Sequence, residues 1–321
     1  RFDQWWGVHR GEYEIVLGSR GAIFAPVRDL GLIIIDEEHE WTYKQSDASP
    51  RYDSRRVAER LATLTDSTLV AGSATPDVAD YRRAERGDWR SLMLPDRVVG
   101  APDSLAPLVT VVDMRQELRD GHTGMFSRAL LKHMDRVLDG EGRIILFLNR
   151  RGSASHVQCR NCGYSRRCSR CDSNMTYHRA DAGVPAALIC HYCSRRIRYT
   201  NACPECHENR MAPSGVGTHA VVDEVDRIYP RAGTIRWDRD VARTAKAHEE
   251  ILSTFLHGSE RVLVGTQMVA KGLDIPSVEL VGVISADTAL SIPDFRSGER
   301  AFQILTQVAG RAGRGINRGD V

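Results

Sequence analysis

With 321 residues the chain is longer than one hydrophobic core usually organises, so two domains plus an insertion are expected. Its 42% hydrophobic and 27% charged residues and net charge of +2 describe an ordinary folded protein, and no apolar run approaches the roughly 20 residues that span a bilayer. The opening Arg1-Phe2-Asp3-Gln4-Trp5-Trp6 is no signal peptide, so a cytoplasmic protein without a membrane partner is expected. The missing initiator Met, and an end at Gly319-Asp320-Val321 straight after a motif, suggest an internal fragment.

Trp5, Trp6 and Tyr13 precede Ile15-Val16-Leu17, a predicted strand ending in Gly18-Ser19-Arg20-Gly21-Ala22. Glycines flanking the Ser-Arg pair allow close backbone approach, which makes Arg20 a candidate phosphate contact. Next comes Leu32-Ile33-Ile34-Ile35-Asp36-Glu37-Glu38-His39, an apolar run ending in three carboxylates and a histidine. Such a run suits a fully buried parallel strand, and open α/β sheets place their ligands at the carboxyl ends of strands. Asp36 could there hold Mg²⁺ while Glu37 orients an attacking water for phosphoryl transfer. An acidic helix N-terminus after a core strand is the plain alternative.

Trp41, Tyr43 and Tyr52 interleave with Lys44 and Arg51, a pattern suited to stacking bases and holding phosphates, unless the rings fold back onto the core. A helix is predicted from about Asp53 to Leu64, because Val57, Leu61 and Leu64 share a face. Strand Thr68-Leu69-Val70-Ala71 leads into Gly72-Ser73-Ala74-Thr75-Pro76, where Thr75 is the expected cap of a helix with Pro at its first position. Ser73 and Thr75 would then face the same cleft as Asp36 and Glu37.

A first lobe over 1–95 is therefore expected, followed by a Pro- and Gly-containing linker over 96–108. A second α/β pattern starts with a strand over Val109–Val112, a helix capped by Ser127 and running to Leu138, and strand Ile144–Leu148 ending in Asn149-Arg150-Arg151-Gly152. It resumes near Gly215, with strands Val262–Val264 and Leu280–Ile284 and helices around 219–229 and 244–256. The second lobe thus comprises 109–152 and 212–321, with an insertion over 153–211. The fold class expected is α/β, two parallel-sheet lobes with a cysteine module inserted in the second.

All eight cysteines fall in that insertion as four Cys-x-x-Cys pairs: Cys159/Cys162, Cys168/Cys171, Cys190/Cys193 and Cys203/Cys206. Four pairs of thiolates make two Cys₄ sites for structural Zn²⁺, whereas a disulfide framework lacks a secretion signal and a redox motif needs no four copies. The residues between look too polar to bury a core, so metal should supply the folding free energy. Between Arg150 and Arg210 stand eleven Arg, no Lys and four acids, an excess of seven positive charges. Two Cys₄ zincs, at about −4 in total, would leave a modestly basic surface that permits phosphate contact.

Towards the end, Gly265-Thr266-Gln267-Met268 follows a strand and leads to Lys271-Gly272-Leu273-Asp274-Ile275-Pro276. The last predicted helix carries Gln307-Val308-Ala309-Gly310-Arg311-Ala312-Gly313-Arg314, with Arg311 and Arg314 on one face. Arginines so displayed suit a γ-phosphate held by another lobe, or else a solvated helix end.

The order Asp-Glu-Glu-His, Gly-Ser-Ala-Thr, Leu-Asn-Arg-Arg-Gly, Gly-Thr-Gln-Met-x-x-Lys-Gly-x-Asp and Gln-Val-Ala-Gly-Arg-Ala-Gly-Arg resembles motifs II to VI of superfamily 2 helicases. With eight cysteines between motifs IV and V, and Pro293-Asp294-Phe295-Arg296 and Glu299-Arg300 before motif VI, the chain resembles the PriA family of primosomal replication-restart helicases over essentially its whole length. The resemblance implies RecA-like lobes, ATP-driven 3′-to-5′ DNA unwinding at forks and single-stranded/duplex junctions, and partners among primosome, helicase-loader and single-stranded-DNA-binding proteins. It implies that Asp36 holds the Mg²⁺ of Mg-ATP, Glu37 positions water and His39 links the nucleotide site to the DNA side. Trp41, Tyr43, Lys44 and Tyr52 would couple DNA contact to hydrolysis, and Ser73 and Thr75 would relay between lobes. Arg20, Arg150, Arg151, Thr266, Gln267 and Lys271 join that DNA-facing or coupling set. Gly272 and Asp274 would meet the nucleotide, Gln307 would belong to the catalytic set, and Arg311 with Arg314 would meet the phosphates. For zinc it implies an interleaved pairing, Cys159/Cys162 with Cys203/Cys206 and Cys168/Cys171 with Cys190/Cys193.

The chain departs from the family pattern at Leu273 and Ile275, where His and Phe are expected, and at Gly21, where Ser is usual. It holds no Gly-x-x-x-x-Gly-Lys-Thr, so the fragment by itself is expected not to hydrolyse ATP. An ATPase-inactive zinc-ribbon scaffold that binds DNA, and an RNA helicase, are the competing classes.

Overall fold

The computed structural model describes residues 2–46, 48–95, 107–149, 156–178, 185–214, 217–238, 241–266, 275–290, 294–313 and 319–321. It divides into two compact units, Arg1–Met93 and Leu94–Val321. Among the described residues no helix is long and apolar enough to cross a membrane.

In the first unit, helix α1 (Phe2–Arg10) is followed by strand β1 (Leu32–Ile35), helix α2 (Ser54–Thr65), strand β2 (Thr68–Ala71) and helix α3 (Val78–Glu85). β1 and β2 pair in parallel, with Leu32 opposite Thr68 and Ile35 opposite Ala71. Alternate side chains of a strand point to opposite faces, so Ile33 and Ile35 pack on Ala58 and Ala62 of α2. Leu32 and Ile34 take the other face and are 52% and 66% exposed, so β1 is buried on one side only and not on both as its apolar run suggested.

Three further expectations fail in identifiable ways. Ile15–Leu17 forms no strand: it pairs with none among the described residues, and Leu17 is 96% exposed. Asp77, not Thr75, caps α3, because its carboxylate accepts from the Ala79 N–H, while Thr75 is buried. Val109–Val112 is not a strand either; its parallel contact with residues 319–321 involves Leu108 and Thr110, and Val111 is 91% exposed.

The second unit is built on helices α4 (Met114–Arg119) and α5 (Arg128–Asp139), strand β3 (Arg143–Leu148) and, after the cysteine module, α6 (Thr218–Ile228), β9 (Thr234–Trp237), α7 (Ala245–His257), β10 (Val262–Gly265), β11 (Val278–Ile284) and the helix Ser297–Ala309. The module itself contributes β4 (His156–Cys159), β5 (Thr176–His178), β6 (Ala187–Ile189), β7 (Arg196–Arg198) and β8 (Met211–Ser214). The four-stranded sheet runs β11-β3-β10-β9, all parallel. Ile144, Leu146 and Leu148 of β3 pack with Met134 and Val137 of α5 and Val221 and Val225 of α6. Ile145 and Phe147 pack with Phe255 of α7 and with Val308 and Ala312. Helices on both faces explain the continuous apolar runs, as in buried parallel sheets generally. Ser127 and Thr244 start α5 and α7 by accepting from the N–H groups of Leu130 and Ala247.

The module forms a separate antiparallel sheet in the order β7-β6-β5-β4-β8. It does bury a small core, contrary to its polar look: Val157, Met175, Leu188 and Met211 pack around Cys159, Cys168, Cys190 and Cys203. Half of that core is sulfur ligand, so the apolar contribution alone is small. Finally, Arg311 is not helical as expected: the last helix ends at Ala309 with Gly310 as cap, and Arg311 lies in the following turn.

Candidate functional site

β1 delivers its acids into a tight turn. Asp36 is exposed and its Oδ1 accepts from the N–H of Glu37, which adopts a left-handed φ of 48°. A non-glycine residue held there is uncommon and persists when its surroundings over-determine it. Those surroundings are a backbone clasp between the two strand ends: Gly72 N–H donates to the Ile35 carbonyl at 2.8 Å and Glu38 N–H to the Gly72 carbonyl at 2.9 Å. The acid turn and the Gly72-Ser73-Ala74-Thr75 turn are thus one structure. Within it His39, buried, lies with Nδ1 2.6 Å from Ser73 Oγ and 3.4 Å from the Glu37 carboxylate. Ser73 Oγ also accepts from the Thr75 N–H at 3.0 Å. An exposed carboxylate at a strand end fits a magnesium ion that keeps most of its ligands as water and phosphate, the usual habit of Mg²⁺.

The aromatic segment sits directly on this turn. The Tyr43 hydroxyl donates to the Asp36 carbonyl at 2.7 Å, Tyr52 packs edge-to-face on Phe24 with centroids 4.9 Å apart, and Arg20 donates to the Thr42 carbonyl at 3.1 Å. Of the three rings Trp41, at 40% exposure, is the one most available to a ligand; Lys44 is exposed beside it. Burial first, then the negative charge of Asp36, raises the pKa of Tyr43, which keeps it a donor.

Three residues with no role assigned from the sequence, Glu38, Arg55 and Asp77, organise the same region. Glu38 is buried, its Oε1 accepts from the Asp77 N–H at 2.7 Å, and its Oε2 has no hydrogen-bond partner among the described residues. Burial, the largest influence, pushes its carboxyl above the usual range despite the Asp77 N–H. Arg55 and Asp77 complete the group at 3.5 Å from each other. A usable signal existed: Arg55 stands in the first turn of a helix, where a cation opposes the helix dipole.

In the second unit Thr266 is buried, its N–H directed at the Trp237 carbonyl at 3.4 Å, and Gln307 and Arg311 are half-buried at the end of the last helix. Arg150, Arg151, Gln267, Lys271, Gly272, Asp274 and Arg314 lie outside the described residues.

The cysteines make two clusters, Cys159, Cys162, Cys203 and Cys206 in one and Cys168, Cys171, Cys190 and Cys193 in the other, each with sulfurs within 4.8 Å of one another. The two outer pairs come together and so do the two inner pairs, as the resemblance implied. Sulfurs lie 3.6 Å apart across each cluster, as in Cys159 to Cys206 and Cys168 to Cys193. A tetrahedral zinc with bonds of about 2.3 Å separates its sulfurs by about 3.8 Å, so the donor sets fit zinc. All four pairs share one backbone device: Gly163, Asp172, Ser194 and His207, each directly after the second cysteine, have positive φ and donate an N–H to the carbonyl of the first. Cys206 is held at about 6, above all by the backbone N–H of Glu208, whereas burial pushes Cys162 up to about 12. Zinc bound by all four would replace that split with four thiolates.

Residues 168–198 match the family model of the PriA DNA helicase Cys-rich region domain, and residues 238–315 that of the helicase conserved C-terminal domain. The replication restart protein PriA of Bacillus subtilis is 46% identical over 321 residues, which are 100% of this chain and 39% of that protein. The chain belongs to the PriA family. The PriA of Synechocystis is 42% identical over 325 residues, again 100% of this chain and 39% of its own, and that of Treponema pallidum 38% over 319, covering 99% and 46%. The chain therefore spans well under two thirds of the curated PriA relatives it matches. Among solved structures, yeast Dbp5 bound to RNA and ADP BeF3 aligns over 92% of this chain and 52% of its own, at 14% identity and a TM-score of 0.43, too loose a likeness to assign anything.

Proposed function

We propose that this PriA-family chain is part of an ATP-dependent 3′-to-5′ DNA helicase of replication restart, which remodels forks and supports primosome assembly. The observation that carries the reading is His39, held between the Glu37 carboxylate and Ser73 Oγ, so that a hydrolytic acid and the Ser-Ala-Thr turn share one contact. In this reading Asp36 holds Mg²⁺, Glu37 positions the water, and Gln307, Arg311, Arg314, Gly272 and Asp274 serve the nucleotide. Bound magnesium would neutralise charge developing on the phosphates. Forked DNA meets Trp41, Lys44 and the basic surface of the zinc module. Loader, primosome and single-stranded-DNA-binding proteins are the partners. Unwinding of forked DNA and of duplex RNA by the full-length gene product, with and without ATP, tests the reading. ATP-dependent opening of DNA but not RNA supports it; DNA binding without turnover would favour a zinc-ribbon scaffold, and RNA opening an RNA helicase.

A further inference from the structure

Arg55 is the second residue of α2, where its charge works against the helix dipole by about 0.3–1 kcal/mol. It is nonetheless buried, and arginine is almost never buried unless paired. Its bonds lead to three separate segments. Nε and Nη2 grip the two carboxylate oxygens of Asp53 at 3.0 and 2.8 Å, Nη1 donates to the Glu38 carbonyl at 3.2 Å, and Nη1 lies 3.5 Å from Asp77 Oδ2.

Each partner belongs to a different part of the site. Asp53 closes the aromatic segment, where it bridges to Lys44 while Gln45 N–H bonds the Tyr52 carbonyl at 2.8 Å. Glu38 directly follows Glu37, and Asp77 opens α3 just past the Ser73 turn. Capping α2 does not require these contacts, since Asp53 already accepts from the Arg55 backbone N–H at 3.0 Å. A planar guanidinium fork fixes direction as well as distance, which a lysine ammonium cannot do.

Resting on the helicase reading above, we propose that Arg55 is a positioning residue: it ties the closing end of the aromatic segment to the acid turn and to α3, so that single-stranded DNA held by the segment reaches Glu37 through one buried guanidinium. The simpler role for the same contacts is a rivet that only holds the fold. Coupling through packed contacts is established by measuring the two sites against each other, not by proximity.

The test is ATP turnover of the full-length gene product over a range of single-stranded DNA concentrations, for wild type, Arg55→Lys and Asp53→Asn, with thermal melting and zinc content measured on each. Lys keeps the charge without the fork, and Asp53→Asn weakens the guanidinium's two-point grip on the end of the aromatic segment while leaving Arg55 with Glu38 and Asp77. The ratio of DNA-stimulated to DNA-free turnover should fall at least about fivefold, the lower end of ordinary coupling between sites, with zinc and the apparent DNA affinity retained. Should Arg55→Lys fail to fold, Asp53→Asn alone decides. Unchanged stimulation, or an equal fall in turnover with and without DNA, overturns the coupling role. Wild type that shows no DNA-stimulated turnover overturns the helicase reading as well, which separates the two failures.

Discussion

The phenolic oxygen of Tyr43 donates to the carbonyl of Asp36 at 2.7 Å, on the peptide that leads into the left-handed Glu37. A side chain of the aromatic segment therefore holds the backbone of the acid turn. Tyr43→Phe keeps the ring and removes that bond, at a cost of about 0.5–1.5 kcal/mol. We expect lower DNA-free ATP turnover in the full-length gene product, because Glu37 loses a restraint. Trp41→Ala should act differently: loss of a base–aromatic stack costs about 1–3 kcal/mol, so DNA stimulation should fall more than basal turnover. If both variants change the two rates in the same proportion, the rings act by packing alone.

Glu37→Gln should abolish turnover of the full-length gene product while leaving two zincs in place. The 321 residues contain no Gly-x-x-x-x-Gly-Lys-Thr, and phosphoryl transfer depends almost wholly on positioning the phosphates. The chain by itself should accordingly be inactive, since losing even an arginine finger costs about 10³–10⁵ in rate. Steady-state ATPase on the chain, the full-length product and the variant checks this; substantial turnover by the isolated chain would contradict it.

For the zinc module, elemental analysis should give two zincs per chain. Structural zinc sites bind with roughly 10–16 kcal/mol, comparable to or above the whole stability of a small domain. Chelation should therefore melt the β4–β8 sheet, read by hydrogen exchange, while β3, β10 and β11 stay protected. Cys190→Ser should release one zinc. A stoichiometry near one in the unaltered chain would contradict the two clusters.

Much of this was legible in the sequence because the signals were local. The cap at Ser127, the helix starts near Asp53 and 244, the runs Thr68–Ala71 and Ile144–Leu148, and the Cys-x-x-Cys spacing each carry their own physics. What failed depended on partners. Ile15–Leu17 and Val109–Val112 have strand-like composition, but a strand needs a neighbour to satisfy its backbone, and composition does not reveal one. Leu32 and Ile34 are apolar yet exposed, so a continuous run could not distinguish one covered face from two. The Arg55 junction was hinted at only by a cation in the first turn of α2, because its partners, the Asp53 and Asp77 carboxylates and the Glu38 carbonyl, come together only when the fold closes.

Gly282, in the middle of β11, should be intolerant of a single added methyl. A Cβ there would stand 2.7 Å from Leu146 Cδ2 and 3.0 Å from Leu130 Cδ1, in the core between the sheet and α5. Overpacking of this kind typically costs about 1–3 kcal/mol. Gly282→Ala should lower the urea midpoint, whereas Gly21→Ala, with nothing within 4 Å of its Cβ, should not. Equal midpoints for the two would show that the leucines give way freely.

Glu38 supplies a pH test. Its folded carboxyl titrates above the unfolded value of 4.5, burial being the main cause. Below the unfolded pKa both states carry the proton, and the stability linked to this group is fully present. As pH rises the unfolded chain ionises first, and stability is lost until pH passes the folded pKa. Asp53 and Glu59 act in the opposite sense: despite partial burial, arginine partners hold both carboxyls low, so their contribution is lost as pH falls. Those contributions are common to wild type and Glu38→Gln and cancel in the difference between them. The glutamine does not titrate, and its amide oxygen can still accept from the Asp77 N–H. The melting temperature of Glu38→Gln relative to wild type should therefore rise from about pH 4 towards about pH 8 and level off once the folded Glu38 is ionised. A difference that is flat or falls across that range would mean that Glu38 is ionised in the folded protein at its ordinary pH, and that the buried Oε2 is stabilised by a charge partner.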